Sequence, residues 1–185
     1  MTGSEGPESA PGSSAPTADP AGAGPITSVL LEVSLPTPAD TDAFGRRLGQ
    51  RLRAGDVVVL AGALGAGKTA LVKGIGAGMG VLGTVMSPTF VIARRHPPGR
   101  PGGAPLVHVD AYRLTGAVEL DDLDLDTDLG AAAVVVEWGD GLAPRLAPAY
   151  LRIELTRQPD DRRTGELTAI GPGWADRLAG LLPED

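Results

Sequence analysis

Two rhythms of apolar and polar positions run along this chain. The segment "SVLLEVSLP" (28–36) is apolar and β-branched and ends in Pro36, which predicts an edge strand. A helix should follow, with Thr37 as N-cap, Pro38 in the first turn and Asp40 closing a capping box. Ala43, Phe44, Leu48 and Leu52 then recur at helical spacing, and Gly55 is expected to end that helix. "DVVVLAG" (56–62) is a short unbroken apolar run, as in a strand buried on both faces of a parallel sheet. A second helix is predicted from Lys68 to about Gly80, its later half weakened by Gly74, Gly76 and Gly78.

Further along, 87–96 reads as a loop leading into a strand, 97–105 as a mobile turn or hairpin tip, and 106–114 as a strand ending in an acid. The stretch 116–129 starts a short helix with a dense acidic run, and 131–141 is another buried strand ending in an acid. Strict alternation in 150–159 and 165–171 predicts a closing antiparallel pair. A terminal helix over 173–182 would pack Leu178, Leu181 and Leu182. Strands alternating with helices make the chain α/β, with a mostly parallel central sheet and antiparallel strands at its edges.

Composition divides the chain in two. Residues 1–25 are almost entirely Gly, Pro, Ala, Ser, Thr and acids, too little apolar surface to offset the entropy of ordering, so a disordered tail is expected there. That stretch has neither the basic start and apolar core of a signal peptide nor the Arg of a transit peptide. Residues 26–185 suit one domain. No apolar run approaches the ~20 residues of a membrane span, and a cytoplasmic location is expected. The absence of cysteine excludes disulfides, thiolate metal sites and cysteine nucleophiles, and two histidines make a His-rich metal site a poor candidate. A net charge of −7 argues against non-specific binding to nucleic acid.

The chemistry concentrates in "GALGAGKT", Gly62 to Thr69, which fits G-x-x-x-x-G-K-[ST] between a buried strand and a helix. Gly62, Gly65 and Gly67 leave successive backbone N–H groups accessible as an anion nest at a helix N-terminus. Lys68 would reach the β- and γ-phosphates of a nucleoside triphosphate, and Thr69 would offer its hydroxyl to magnesium. The fold expected is that of the P-loop NTPases, three layers of helix, sheet and helix. Magnesium also needs carboxylates at neighbouring strand ends, and Asp110 ends "LVHVD" while Glu137 ends "VVVE". One can hold the metal through water while the other binds it directly or activates the attacking water; the residues leave that division open. Thr89 in "SPTF" is either a γ-phosphate sensor or an ordinary turn residue, and spacing alone favours the turn. Arg113 is best read as a surface ion-pair partner of the run 119–128, and Trp138 as either core or site wall.

Taken together, "GALGAGKTALVKG", "SPTF", "HVDAYRL" and "VEW", in that order, resemble the TsaE (YjeE) family of bacterial P-loop ATPases required for threonylcarbamoyladenosine formation in tRNA. The likeness covers roughly residues 35–140. It implies ATP at Gly65, Ala66, Gly67, Lys68, Thr69 and Ala70, magnesium near Thr69 and Glu137, Asp110 as the aspartate of the family motif and Thr89 as its switch-like threonine. It also makes Thr41 a contact of the nucleotide base. It implies TsaD-like and TsaB-like partners, with tRNA reached only through them and ATP hydrolysis resetting or activating that complex. Ala63, Ala111 and Gly139 depart from the residues usual in the family, and none of them removes a catalytic group.

Three other readings compete. A small-molecule kinase needs an Arg-bearing lid, and "ARRHPPGR" is dominated by Pro and Gly. A GTP switch needs an N-K-x-D-type base reader, which the sequence lacks. A nucleotide-dependent interaction protein without turnover sits poorly with Asp110 and Glu137. No internal arginine finger is evident, so slow hydrolysis by the isolated chain is expected.

Overall fold

The computed structural model describes residues 28–88, 92–113 and 128–181. The expected tail, Thr89, most of the acidic run and Leu182 lie outside them.

The chain forms β1 (Ser28–Leu35), α1 (Pro38–Gly49), β2 (Val57–Ala61), α2 (Lys68–Met79), β3 (Ala93–His96), β4 (Leu106–Asp110), a 3₁₀ turn (Ala111–Arg113), β5 (Ala133–Glu137), α3 (Ala143–Leu146), β6 (Tyr150–Arg157), β7 (Arg163–Ile170) and α4 (Ala175–Leu178). All seven strands belong to one sheet in the order β1-β7-β6-β2-β5-β4-β3. The centre, β6-β2-β5-β4, is parallel. The pairings β1-β7, β6-β7 and β3-β4 are antiparallel. This is the α/β architecture expected, with the antiparallel strands at the margins.

β2 is buried at every position. Val58 and Leu60 point to the layer containing Phe44, Leu48, Leu71, Val72 and Ile75 of α1 and α2. Val57 and Val59 point to the opposite layer, where Ala143 and Leu146 of α3 pack. An unbroken apolar run is therefore what a central strand between two covered faces requires.

At α1, Thr37 caps as expected: its Oγ1 accepts from Asp40 N, while Asp40 Oδ2 accepts from Thr37 N at 2.9 Å. The helix ends at Gly49, not near Gly55. Arg51 N and Leu52 N bond back three residues, to Leu48 O and Gly49 O, which tightens and closes the last turn. Gly55, with φ +89°, serves the later turn into β2.

α2 stays helical to Met79 in spite of its glycines. A Cβ on Gly49 would sit 2.2 Å from Ile75 O, one on Gly74 2.6 Å from Asp42 O, and one on Gly78 2.2 Å from Arg46 O. These positions let the backbones of α1 and α2 touch, and tertiary packing offsets the lost helix propensity.

The 97–105 segment joins β3 to β4 as a hairpin connection, bonded to the residues just after α2 through Leu82 N to Pro97 O and Gly99 N to Gly80 O. The terminal helix is shorter than expected, one turn at α4, but Leu178 and Leu181 are buried. The turn α3 had no clear periodicity, being four residues long with Pro144 in its first turn. Among the described residues no helix is long and apolar enough to cross a membrane.

Candidate functional site

β2 delivers the chain to Gly62 and α2 receives it at Lys68. The two ends of the loop are glycines for different reasons. A Cβ on Gly62 would lie 2.2 Å from Leu155 O of β6, so the loop starts in backbone contact with its neighbour. Gly67 is the N-cap of α2 with φ +110°, a conformation L side chains avoid. Having no side chain, it leaves the first amides of α2 uncapped and open to an anion.

The loop borders a cavity of about 420 Å³ lined by Leu64, Gly65, Gly67, Lys68, Thr69, Ala70, Ser87, Asp110, Tyr112, Glu137 and Trp138. Most of the sequence-derived candidates therefore converge. Gly62 contributes its carbonyl from behind, and Ala66 is buried in the core. Thr41 is not brought to this cavity: it is 1% exposed within α1, and its hydroxyl donates to Thr37 O at 3.4 Å. Its capping-turn position turns the side chain back along the helix. Arg113's side chain lies outside the described residues.

Lys68 Nζ donates to Gly62 O at 2.7 Å and to Ala63 O at 3.0 Å, and stands 3.6 Å from the centroid of the Trp138 ring. Burial lowers the Lys68 pKa, with Glu137 and then Asp110 opposing that shift by their charge. The exposed Ala63 side chain takes no part, so its departure from the family pattern leaves the lysine's contacts intact.

Glu137 and Asp110 face each other in register at the ends of β5 and β4. Glu137 is 3% exposed. Thr69 Oγ1 lies 3.0 and 3.1 Å from its two oxygens, inside the fork of the carboxylate. Asp110 accepts Tyr112 N at Oδ1 and approaches Ser87 Oγ at 3.5 Å through Oδ2. Hydroxyl and carboxylate oxygens are the hard donors a magnesium ion takes, so Thr69 and Glu137, with Asp110 beside them, fit that metal.

Two features were not foreseen. His108 is fully buried, with Nε2 2.9 Å from Glu137 Oε1. Its Nδ1 has no partner in the structure, which favours the tautomer with the proton on Nε2, donated to Glu137. The sequence signal was there: His108 precedes Asp110 by two residues on one strand, so both share a face. Trp138 carries φ +62°, left-handed backbone for a bulky residue, and its ring lies 5.1 Å from that of Tyr112. Gly139 follows because a Cβ there would lie 2.8 Å from Val136 Cγ1.

Known proteins resemble the chain on the same elements. The family model described as "Threonylcarbamoyl adenosine biosynthesis protein TsaE" matches residues 35–165. A protein of Mycobacterium tuberculosis named "tRNA threonylcarbamoyladenosine biosynthesis protein TsaE" is 57% identical over 130 residues, 67% of this chain and 77% of the relative. Its Streptomyces coelicolor namesake is 52% identical over 144 residues, covering 75% and 97%. The crystal structure of Bacillus subtilis YdiB superimposes with a TM-score of 0.65 at 28% identity, over 86% of this chain and 97% of that one. With the loop, the two strand-end acids and the sheet order in place, the chain belongs to the TsaE family of tRNA threonylcarbamoyladenosine biosynthesis proteins.

Proposed function

We infer that the chain is the ATP-binding, slowly ATP-hydrolysing subunit of a cytoplasmic tRNA threonylcarbamoyladenosine modification complex, acting on TsaD-like and TsaB-like proteins. The observation that supports this best is the Thr69 hydroxyl held in the fork of the buried Glu137 carboxylate beside Lys68. Here the triphosphate would rest on the amides at Gly65, Gly67, Lys68, Thr69 and Ala70. Lys68 would exchange its contacts with Gly62 O and Ala63 O for phosphate oxygens. Magnesium, when bound, would neutralise charge on the β- and γ-phosphates, with Thr69 and Glu137 as its protein ligands. Asp110, whose Oδ1 is fixed by Tyr112 N, would orient water at the γ-phosphate end. Thr89 is assigned the γ-phosphate-sensing role on its motif alone.

The test is turnover with and without partners. The purified chain should bind ATP and hydrolyse it slowly, and TsaD-like and TsaB-like proteins should be captured in an ATP-dependent way. Glu137→Ala should keep nucleotide binding and lose hydrolysis. Fast turnover by the isolated chain, or no nucleotide-dependent capture, counts against the partner-dependent reading and reopens that of a small-molecule kinase.

A further inference from the structure

Leaving the end of β5, the chain crosses the C-terminal end of β2 and reaches β6, since the order there is β6-β2-β5. Three residues make the crossing. Trp138 N donates to Leu60 O of β2 at 3.0 Å. Gly139 lies close on the strands beneath: a Cβ there would stand 2.8 Å from Val136 Cγ1 and 3.1 Å from Val59 Cγ1. Asp140 is the exposed second residue of a turn closed by Leu142 N to Gly139 O at 2.9 Å, with Gly141 at φ +84°.

Beyond β2 the turn meets Arg152, whose register partner on β2 is that same Val59. Arg152 Nε donates to Asp140 Oδ1 at 2.8 Å, and its Nη2 donates to Asp140 Oδ2 at 3.3 Å. Nη2 also donates to Glu154 Oε2 at 2.9 Å, which steadies the guanidinium on its own strand. A two-pronged contact of this kind fixes direction as well as distance. Arg152 was not legible as a site residue, because only the β6–β2 pairing brings it to the turn.

The residue held by this crossing is Trp138. Its φ of +62° is one that a bulky side chain keeps only where the surroundings impose it. Leu60 O fixes its N-terminal side, and Arg152 fixes the turn on its C-terminal side. The ring then lies 3.6 Å from Lys68 Nζ and 5.1 Å from the Tyr112 ring. We propose that Arg152 and Asp140 form a clasp that holds Trp138 over Lys68, which makes Arg152 a positioning residue of the nucleotide site. Its effect on nucleotide rests on the reading of the loop as a triphosphate site. With the clasp closed, the ring already stands in the cavity wall, and binding does not have to order it.

The experiment combines acrylamide quenching with ATP titration on the full chain in a Trp174→Phe background, where Trp138 is the sole tryptophan. Without nucleotide, Arg152→Gln should make Trp138 easier to quench and shift its emission to longer wavelength. Its ATP affinity should fall about two- to tenfold, the cost of ordering one large side chain on binding. Asp140→Ala should do the same, and it carries the test if Arg152→Gln does not fold, because its turn is exposed. The double variant should be no worse than either single one, as for two residues acting through one contact. Unchanged quenching in the single variants overturns the proposal. Additive effects in the double variant also overturn it, because each residue would then act alone. A freer ring with unchanged ATP affinity overturns the positioning role. If the parent binds no ATP, the triphosphate reading fails instead, and quenching without nucleotide still decides the clasp.

Discussion

The imidazole of His108 and the carboxylate of Glu137 form a buried pair, Nε2 to Oε1 at 2.9 Å, on adjacent parallel strands. Because Thr69 Oγ1 bonds the same carboxylate from the other side, Glu137 is held between a donor on β4 and a donor on α2. His108 is therefore a positioning residue: it touches neither phosphate nor metal but sets the orientation of a carboxylate that would. Replacing it with alanine should weaken magnesium about 10- to 100-fold, the usual effect of removing the partner of a metal-binding side chain. Magnesium titration of nucleotide binding measures this. His108→Asn, which still offers an N–H, should recover part of the loss, and a magnesium dependence unaffected by either change would leave His108 as packing only.

Lys68 and Trp138 yield an optical prediction. With Nζ 3.6 Å from the ring centroid, the lysine must leave the indole face to follow a phosphate. In a Trp174→Phe background Trp138 is the sole tryptophan, and its emission should change when ATP is added. Lys68→Ala should abolish that change and weaken ATP about 100-fold, the equivalent of one or two charge-assisted hydrogen bonds. An emission change of normal size in Lys68→Ala would show that the ring does not report on the lysine.

Features with local causes were legible in the chain. Thr37 and Asp40 cap α1 because the box needs only residues three apart, and Gly67 was readable because the loop motif is contiguous. Asp110 and Glu137 could be placed at the crevice because each ends an apolar run. What escaped depends on contacts between distant elements. The bond from His108 to Glu137 requires the β4–β5 register. Gly49 was passed over as a helix end because a glycine that packs and a glycine that caps look alike in one dimension. That Thr41 turns into the first turn of its own helix rather than toward the loop cavity also depends on how α1 is rotated against the sheet.

The glycine crossing of α1 and α2 predicts a sharp contrast among conservative changes. Gly78→Ala would put a methyl 2.2 Å from Arg46 O, and Gly49→Ala would do the same against Ile75 O. Backbone carbonyls cannot swing aside as side chains do, so the helices must separate. Each change should cost about 1–3 kcal/mol or more in urea denaturation, despite alanine's better helix propensity. Gly130→Ala, where nothing lies within 4 Å, should stay within about 0.5 kcal/mol. If all three behave alike, the close crossing is not what these glycines serve.

His96 predicts how stability depends on pH. It is 5% exposed on β3, and its Nε2 is buried without a partner. Burial lowers its pKa below the ordinary 6.5, and the nearby His108 and Arg94 lower it further by charge. The unfolded chain therefore takes up a proton before the folded one does as the solution is acidified. The stabilisation this neutral imidazole contributes is complete above about pH 6.5 and declines as pH falls below it, at up to about 1.4 kcal/mol per pH unit. His96→Leu fills the site with a group that does not titrate. Its thermal midpoint should fall less than that of the wild type between about pH 7.5 and pH 5.5. Because the other titrating groups are common to both proteins, parallel curves would mean that His96 is protonated equally easily in the folded and unfolded chain.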